Sequence, residues 1–133
     1  MNTNNLRHRS ARLGLIVFAL VGLAALPACR TVNVNDTTVG EVKLGELQVF
    51  ANHNFETVYR AAKQGIADRK LFLTQDDKKY FEAELRARDS VDTLIIVKIK
   101  EVAKDRTSVK VRYGITGDTV NAQALYNEIQ KNY

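Results

Sequence analysis

Cys29 is the only cysteine in this 133-residue chain, and its surroundings give the thiol a specific chemistry. Leu26-Pro27-Ala28-Cys29 resembles a bacterial lipobox, in which cleavage before the cysteine is coupled to lipidation of its sulfur. Arg7, Arg9 and Arg12 precede a 14-residue apolar run, Leu13 to Leu26, which ends at small Ala28. That is the charged, apolar and small-residue layout of a secretory signal. The run falls short of the roughly 20 apolar residues that span a bilayer. Residues 1–28 are therefore expected to be a lipoprotein signal peptide. Cys29 is expected to carry the acyl chains (palmitate among them) that make the membrane its partner. His8 separates Arg7 from Arg9, which disfavours a twin-arginine signal. Arg30 follows Cys29 where an inner-membrane retention signal would place Asp, so a periplasm-facing site on the outer membrane is favoured over the inner.

Other reactive groups are sparse. His53 is the only histidine after residue 28, and Ser90 and Ser108 have no partner at a spacing that makes a nucleophile and base. Asp76-Asp77 beside Lys78-Lys79 reads as a hairpin turn in preference to a cation site. Gly114 to Asp118 offers a turn before a helix. Asp118 would occupy the capping position that an anion would otherwise take, and Arg112 is expected to bond the Asp118 carboxylate or nearby carbonyls. No phosphate-binding loop and no metal-ligand spacing is present, so no enzyme, cofactor or metal centre is expected. The best surface candidate is a set of cations: Arg86, Arg88, Lys98, Lys100, Lys110 and Arg112. If their strands pair, all six lie on one outward face. Two readings stand for it: a solvated face, or a docking patch for an acidic envelope partner.

The elements that would place these residues follow from periodicity. Leu47 and Val49 alternate with Glu46 and Gln48 in a strand over 44–50. Phe55, Val58, Tyr59, Ala62 and Ile66 form one helical stripe, with Asn54 as N-cap. Gly65 within it implies close packing, on the sheet by expectation. Strands are then predicted over 71–75, 80–88, 93–101 and 106–113. In the second of these Phe81, Ala83, Leu85 and Ala87 face one way. Asp118 caps a second helix over 119–131, with Ala122, Leu125, Tyr126 and Ile129 on its apolar side. The connections are short enough for antiparallel hairpins. The expected fold is α+β in two layers: about five strands, mainly antiparallel, with two helices on one face, in the order β-α-β-β-β-β-α.

Removing residues 1–28 takes away three arginines and no acid, so the net charge drops from +5 to +2. The apparent basicity thus belongs largely to the signal, and nucleic acid is not an expected partner. Residues 29–44, polar and rich in Thr, Asn and Val, are expected to be the lipidated cysteine and a flexible tether. An edge strand at Thr31-Val32-Asn33-Val34 is the alternative. Residues 45–133 would form a single domain.

Val109 to Asp118 followed by Leu125-Tyr126-Asn127-Glu128-Ile129, together with Val58-Tyr59-Arg60-Ala61-Ala62, resemble the domain-of-unknown-function family number 3568. Arg112, Gly114, Gly117 and Asp118 carry most of the likeness, and Ala122 departs from an expected Ser. The resemblance implies a small bacterial lipoprotein with this order of elements. It implies no activity.

Overall fold

The computed structural model describes residues 29–35 and 38–133; the signal-peptide reading of residues 1–28 lies outside them. Seven strands and two helices follow in order. These are β1 (Arg30–Asn35), β2 (Thr38–Lys43), β3 (Glu46–Ala51), α1 (Phe55–Asp68), β4 (Phe72–Lys78), β5 (Glu82–Arg88), β6 (Leu94–Ala103), β7 (Arg106–Tyr113) and α2 (Thr119–Gln130). The strands form one sheet in the order β1-β2-β3-β7-β6-β5-β4, with every neighbouring pair antiparallel. The fold is α+β, as the periodicity predicts, but the sheet has seven strands where about five were expected, because β1 and β2 precede the first expected strand.

Alternation puts Leu47, Val49, Leu85, Val97, Ile99, Val109 and Val111 on the covered face, where each is buried. Both helices lie on that face. Helix α1 starts at the expected cap: the Asn54 side chain accepts from Thr57 N–H at 2.9 Å. It buries Phe55, Val58, Ala61, Ala62, Gly65 and Ile66. Helix α2 is capped by Asp118, which accepts from Asn121 N–H at 3.0 Å, and it buries Ala122, Leu125, Tyr126 and Ile129. Gly65 packs on the second helix and not on the sheet. A Cβ there would lie 2.9 Å from both the backbone nitrogen and Cγ1 of Ile129.

Three further expectations are corrected. The segment 29–44 is no tether, because β1 and β2 form a hairpin that extends the sheet past β3. The edge-strand alternative was the better reading. Val34 is buried, and a Cβ on Gly40 would touch Leu47, Val34 and Val49 at 2.9–3.1 Å, so the hairpin belongs to the core. Asp76-Asp77-Lys78 is not a turn but the end of edge strand β4. Two of its charges are satisfied by α1: Lys63 and Tyr59 bond Asp76 at 2.8 Å, and Lys78 pairs with Glu56 at 2.8 Å, while Asp77 accepts from Gln75 on the same strand. The chain turns instead at residues 79–81. Phe81, expected in the core, is 65% exposed because it lies beyond Ala83, the first buried residue of β5.

Candidate functional site

The second face of the sheet carries the six candidate cations, and strand register fixes their neighbours. Glu46, Arg112, Ile96 and Arg86 form one row across β3, β7, β6 and β5. Gln48, Lys110, Lys98 and Glu84 form the next, and Phe50, Ser108, Lys100 and Glu82 the third. On β4, Asp77 stands opposite Glu84. The cations therefore make a central band bordered by carboxylates, so the face is less uniformly basic than the sequence suggests.

Four of the six are engaged. Arg86 meets Glu84 at 2.7 Å, Arg88 meets Asp92 at 2.9 Å, and Lys110 reaches Glu46 more loosely at 3.6 Å. Arg112 donates to the Ile115 carbonyl at 3.1 Å and to the Leu44 carbonyl at 2.5 Å. Arg112 thus pins the turn through carbonyls; the Asp118 carboxylate is spent on Asn121. Among the described residues, neither Lys98 nor Lys100 pairs with a carboxylate. Lys98 stands directly opposite Lys110, a like-charge cross-strand pair, which is destabilising when uncompensated. Gln48, Lys98, Lys100, Ser108 and Lys110 line an open concavity of about 830 Å³, which also touches Asp77, Glu82 and Glu84.

The remaining candidates resolve into structural roles. The His53 ring lies 4.6 Å from that of Tyr133, and its carbonyl accepts from Thr107 Oγ1 at 2.8 Å. Ser108 is buried, with Gln48 Nε2 donating to it at 3.3 Å. Around Asp76, burial pushes the carboxyl up, but hydrogen bonds from Lys63 and Tyr59 prevail and hold its pKa below the usual value. Burial and the Asp76 carboxylate raise the Tyr59 pKa, so the phenol stays protonated and is a poor acid. The cluster clips β4 to α1. Among the described residues no group of three or more His, Cys, Asp or Glu is placed to hold a metal, and no helix is long and apolar enough to cross a membrane.

One end of the sheet gathers three loops that periodicity does not single out. Leu44-Gly45 joins β2 to β3, residues 89–93 join β5 to β6, and residues 114–118 join β7 to α2. They hold one another. Arg112 bridges the first and third, and a Cβ on Gly45 would lie 2.5 Å from the Thr116 carbonyl oxygen. Gly114 N–H donates to the Leu94 carbonyl at 2.8 Å. Asp89 accepts from Val91 N–H, Thr93 N–H and Tyr113 O–H at 2.9–3.0 Å, and these bonds hold its pKa down. Each loop turns an apolar side chain outward: Leu44 is 76% exposed, Val91 79% and Ile115 90%. An apolar residue beside a glycine in a short turn (Leu44-Gly45, Gly114-Ile115) is the only trace of this in the sequence. Cys29 is exposed at the same end, immediately before β1.

No curated protein matches the chain. Residues 11–132 match the family described as a protein of unknown function, DUF3568, so the match runs through both helices and all seven strands, and the chain belongs to that family.

Proposed function

We propose that this chain is a non-enzymatic, lipid-anchored protein of the bacterial envelope, held by acylated Cys29 and facing the periplasm from the outer membrane. Its role is to bind a partner across the bare sheet face. The observation that carries the partner reading is the Lys98–Lys110 cross-strand pair with Lys100 beside it on β6. Three cations converge there with one loose carboxylate contact between them, at 3.6 Å from Lys110. An acidic group laid in the concavity relieves their repulsion, and the carboxylates of Glu82 and Glu84 confine where it fits. The partner is thus an acidic protein or cell-wall polymer that presents its charge in a narrow strip.

The test uses the full-length lipoprotein, crosslinked in intact envelopes. Lys98→Glu, Lys100→Glu and Lys110→Glu together should abolish the partner crosslinks. Each new glutamate stands opposite or beside Glu84, Glu82 or Glu46, so circular dichroism must show the variant folded before lost crosslinks count for the docking role. Raising salt should weaken the same contact, as the Debye length shrinks from about 10 Å at 0.1 M to about 3 Å at 1 M. Crosslinks that persist in the triple variant would refute the docking role and leave the face simply solvated.

A further inference from the structure

We infer that the loop end carrying Leu44, Val91 and Ile115 is a membrane-contacting surface, whose three apolar tips enter the headgroup layer of the bilayer that holds Cys29. The inference rests on the lipid-anchor reading and adds to it the orientation of the domain.

The first argument is reach. Cys29 abuts β1 with no intervening residue, and β1 is tied into the sheet from Arg30 opposite Val42 onward. That register carries Cys29 alongside Lys43, one residue short of the Leu44 tip. At about 3.3 Å per residue along a strand and about 4.8 Å between strands, the Leu44 tip extends past the anchored sulfur's own residue. An acyl chain on Cys29 in the bilayer therefore brings this end of the sheet down to the headgroups. No length of free chain is available to hold the domain away.

The second argument is what the end presents. Leu44 occupies the first position of a two-residue hairpin turn at φ +52°, followed by Gly45 at +74°. Such turns favour Asn or Asp there, because a bulky side chain is strained at positive φ. Leu44 gains no burial in return. A residue that breaks both the backbone and the solvation preference of its position is expected at a functional site. Ile115 does the second of these on the neighbouring loop, and Arg112 bonds both carbonyls, so the two tips are fixed relative to one another. Val91 extends the apolar set to the β5–β6 loop.

The third argument is charge. Most carboxylates nearby are engaged: Asp89 with backbone N–H groups, Asp118 in its cap, Asp92 with Arg88 and, loosely, Glu46 with Lys110; Glu41, on β2, is exposed. Arg30 and Lys43 flank the anchor and outnumber Glu41 beside them, so the charge around Cys29 favours approach to an anionic surface. Exposed apolar residues also occur at the opposite end, Phe81 and Val102 among them, but the anchor lies at the Leu44 end. Several acyl chains on one cysteine hold the protein to the bilayer but leave the domain free to swivel, and apolar side chains buried about 5–10 Å into the interface fix which end faces it. With the loop end down, the strands stand upright on the membrane and the bare face opens sideways.

The chain contains no tryptophan, so a single introduced indole reports alone. Full-length Ile115→Trp, Leu44→Trp and Val102→Trp are produced in a bacterium, extracted and reconstituted into phosphatidylcholine–phosphatidylglycerol vesicles carrying brominated acyl chains. The mass of the N-terminal peptide reads Cys29 separately, and circular dichroism confirms the fold of each variant. The expected result is a lipidated Cys29, with emission at positions 115 and 44 blue-shifted and quenched at least about twofold more than at 102, as bromines at that depth require. A lipidated Cys29 with positions 115 and 44 no more quenched than 102 overturns the inference and leaves the anchor standing. Preferential quenching at 102 assigns the membrane to the opposite end. An unmodified Cys29 overturns the anchor reading and this inference with it.

Discussion

Gly114 and Gly117 provide a matched pair for measuring how tightly the loop end is built. Both have left-handed backbones, at φ +74° and +81°, so alanine at either is strained by about 1–2 kcal/mol. Their surroundings differ. A Cβ on Gly114 meets only Thr93 Cγ2 at 3.4 Å, an ordinary contact. A Cβ on Gly117 overlaps the carbonyl and Cα of Gly45, which is backbone and cannot swing aside. The two loops must then part, and the Arg112 bonds to the Leu44 and Ile115 carbonyls, each contributing about 1 kcal/mol, are lost with the contact. Gly114→Ala should therefore cost about 1–2 kcal/mol and Gly117→Ala about 3–4 kcal/mol, if both bonds go. Urea unfolding followed by circular dichroism measures both, provided the slopes agree. Equal losses would refute the backbone-on-backbone contact between the β2–β3 and β7–α2 loops.

Two further outcomes test the core and the loop electrostatics. Leu125→Ala, at a fully buried position in α2, should cost about 2–5 kcal/mol in the same assay, and a loss below about 1 kcal/mol would mean the helix is not packed on the sheet. Asp89→Asn should be less stable than the parent at neutral pH, with the gap closing in acid. The folded Asp89 pKa is depressed, so its contribution is complete above the ordinary carboxylate value of about 3.9 and fades as pH falls through the lower folded value. A gap unchanged down to about pH 2 would show that the Asp89 charge is not what holds the loop.

Residues whose burial alternates with exposure were legible in the sequence; those held by distant partners were not. Leu85, Val109 and Val111 announce their strands because each is a branched side chain between two polar neighbours. Both helix caps were also legible, since Asn54 and Asp118 act on N–H groups three residues away. The β1–β2 hairpin was not, because its central covered position is Gly40, which offers no side chain to count although Leu47 and Val49 close over it. Strand β4 hides for a different reason. Its Asp76 and Lys78 look like turn residues locally, and only α1, more than ten residues upstream, supplies Lys63, Tyr59 and Glu56 to pair them. The cation band was predicted by alternation, but its sideways neighbours depend on strand order. That Arg112 leaves the band to clamp two loops depends on where β2 ends.

The direction of β1 has a mechanical meaning. The strand runs from Cys29 into the body of the sheet, and its far end is stitched to α2 where Asn35 donates to Asn127 at 3.4 Å; Gln130 does the same for the start of β2, donating to Thr38 at 3.1 Å. A tug on Cys29 along the strand axis therefore loads the whole β1–β2 ladder, from Arg30–Val42 to Asn35–Thr38, in shear. Every hydrogen bond must yield together, whereas a pull across the sheet would peel them one at a time. A polar and inconspicuous strand is thus oriented to carry force between Cys29, if that residue is the anchored one, and the rest of the domain.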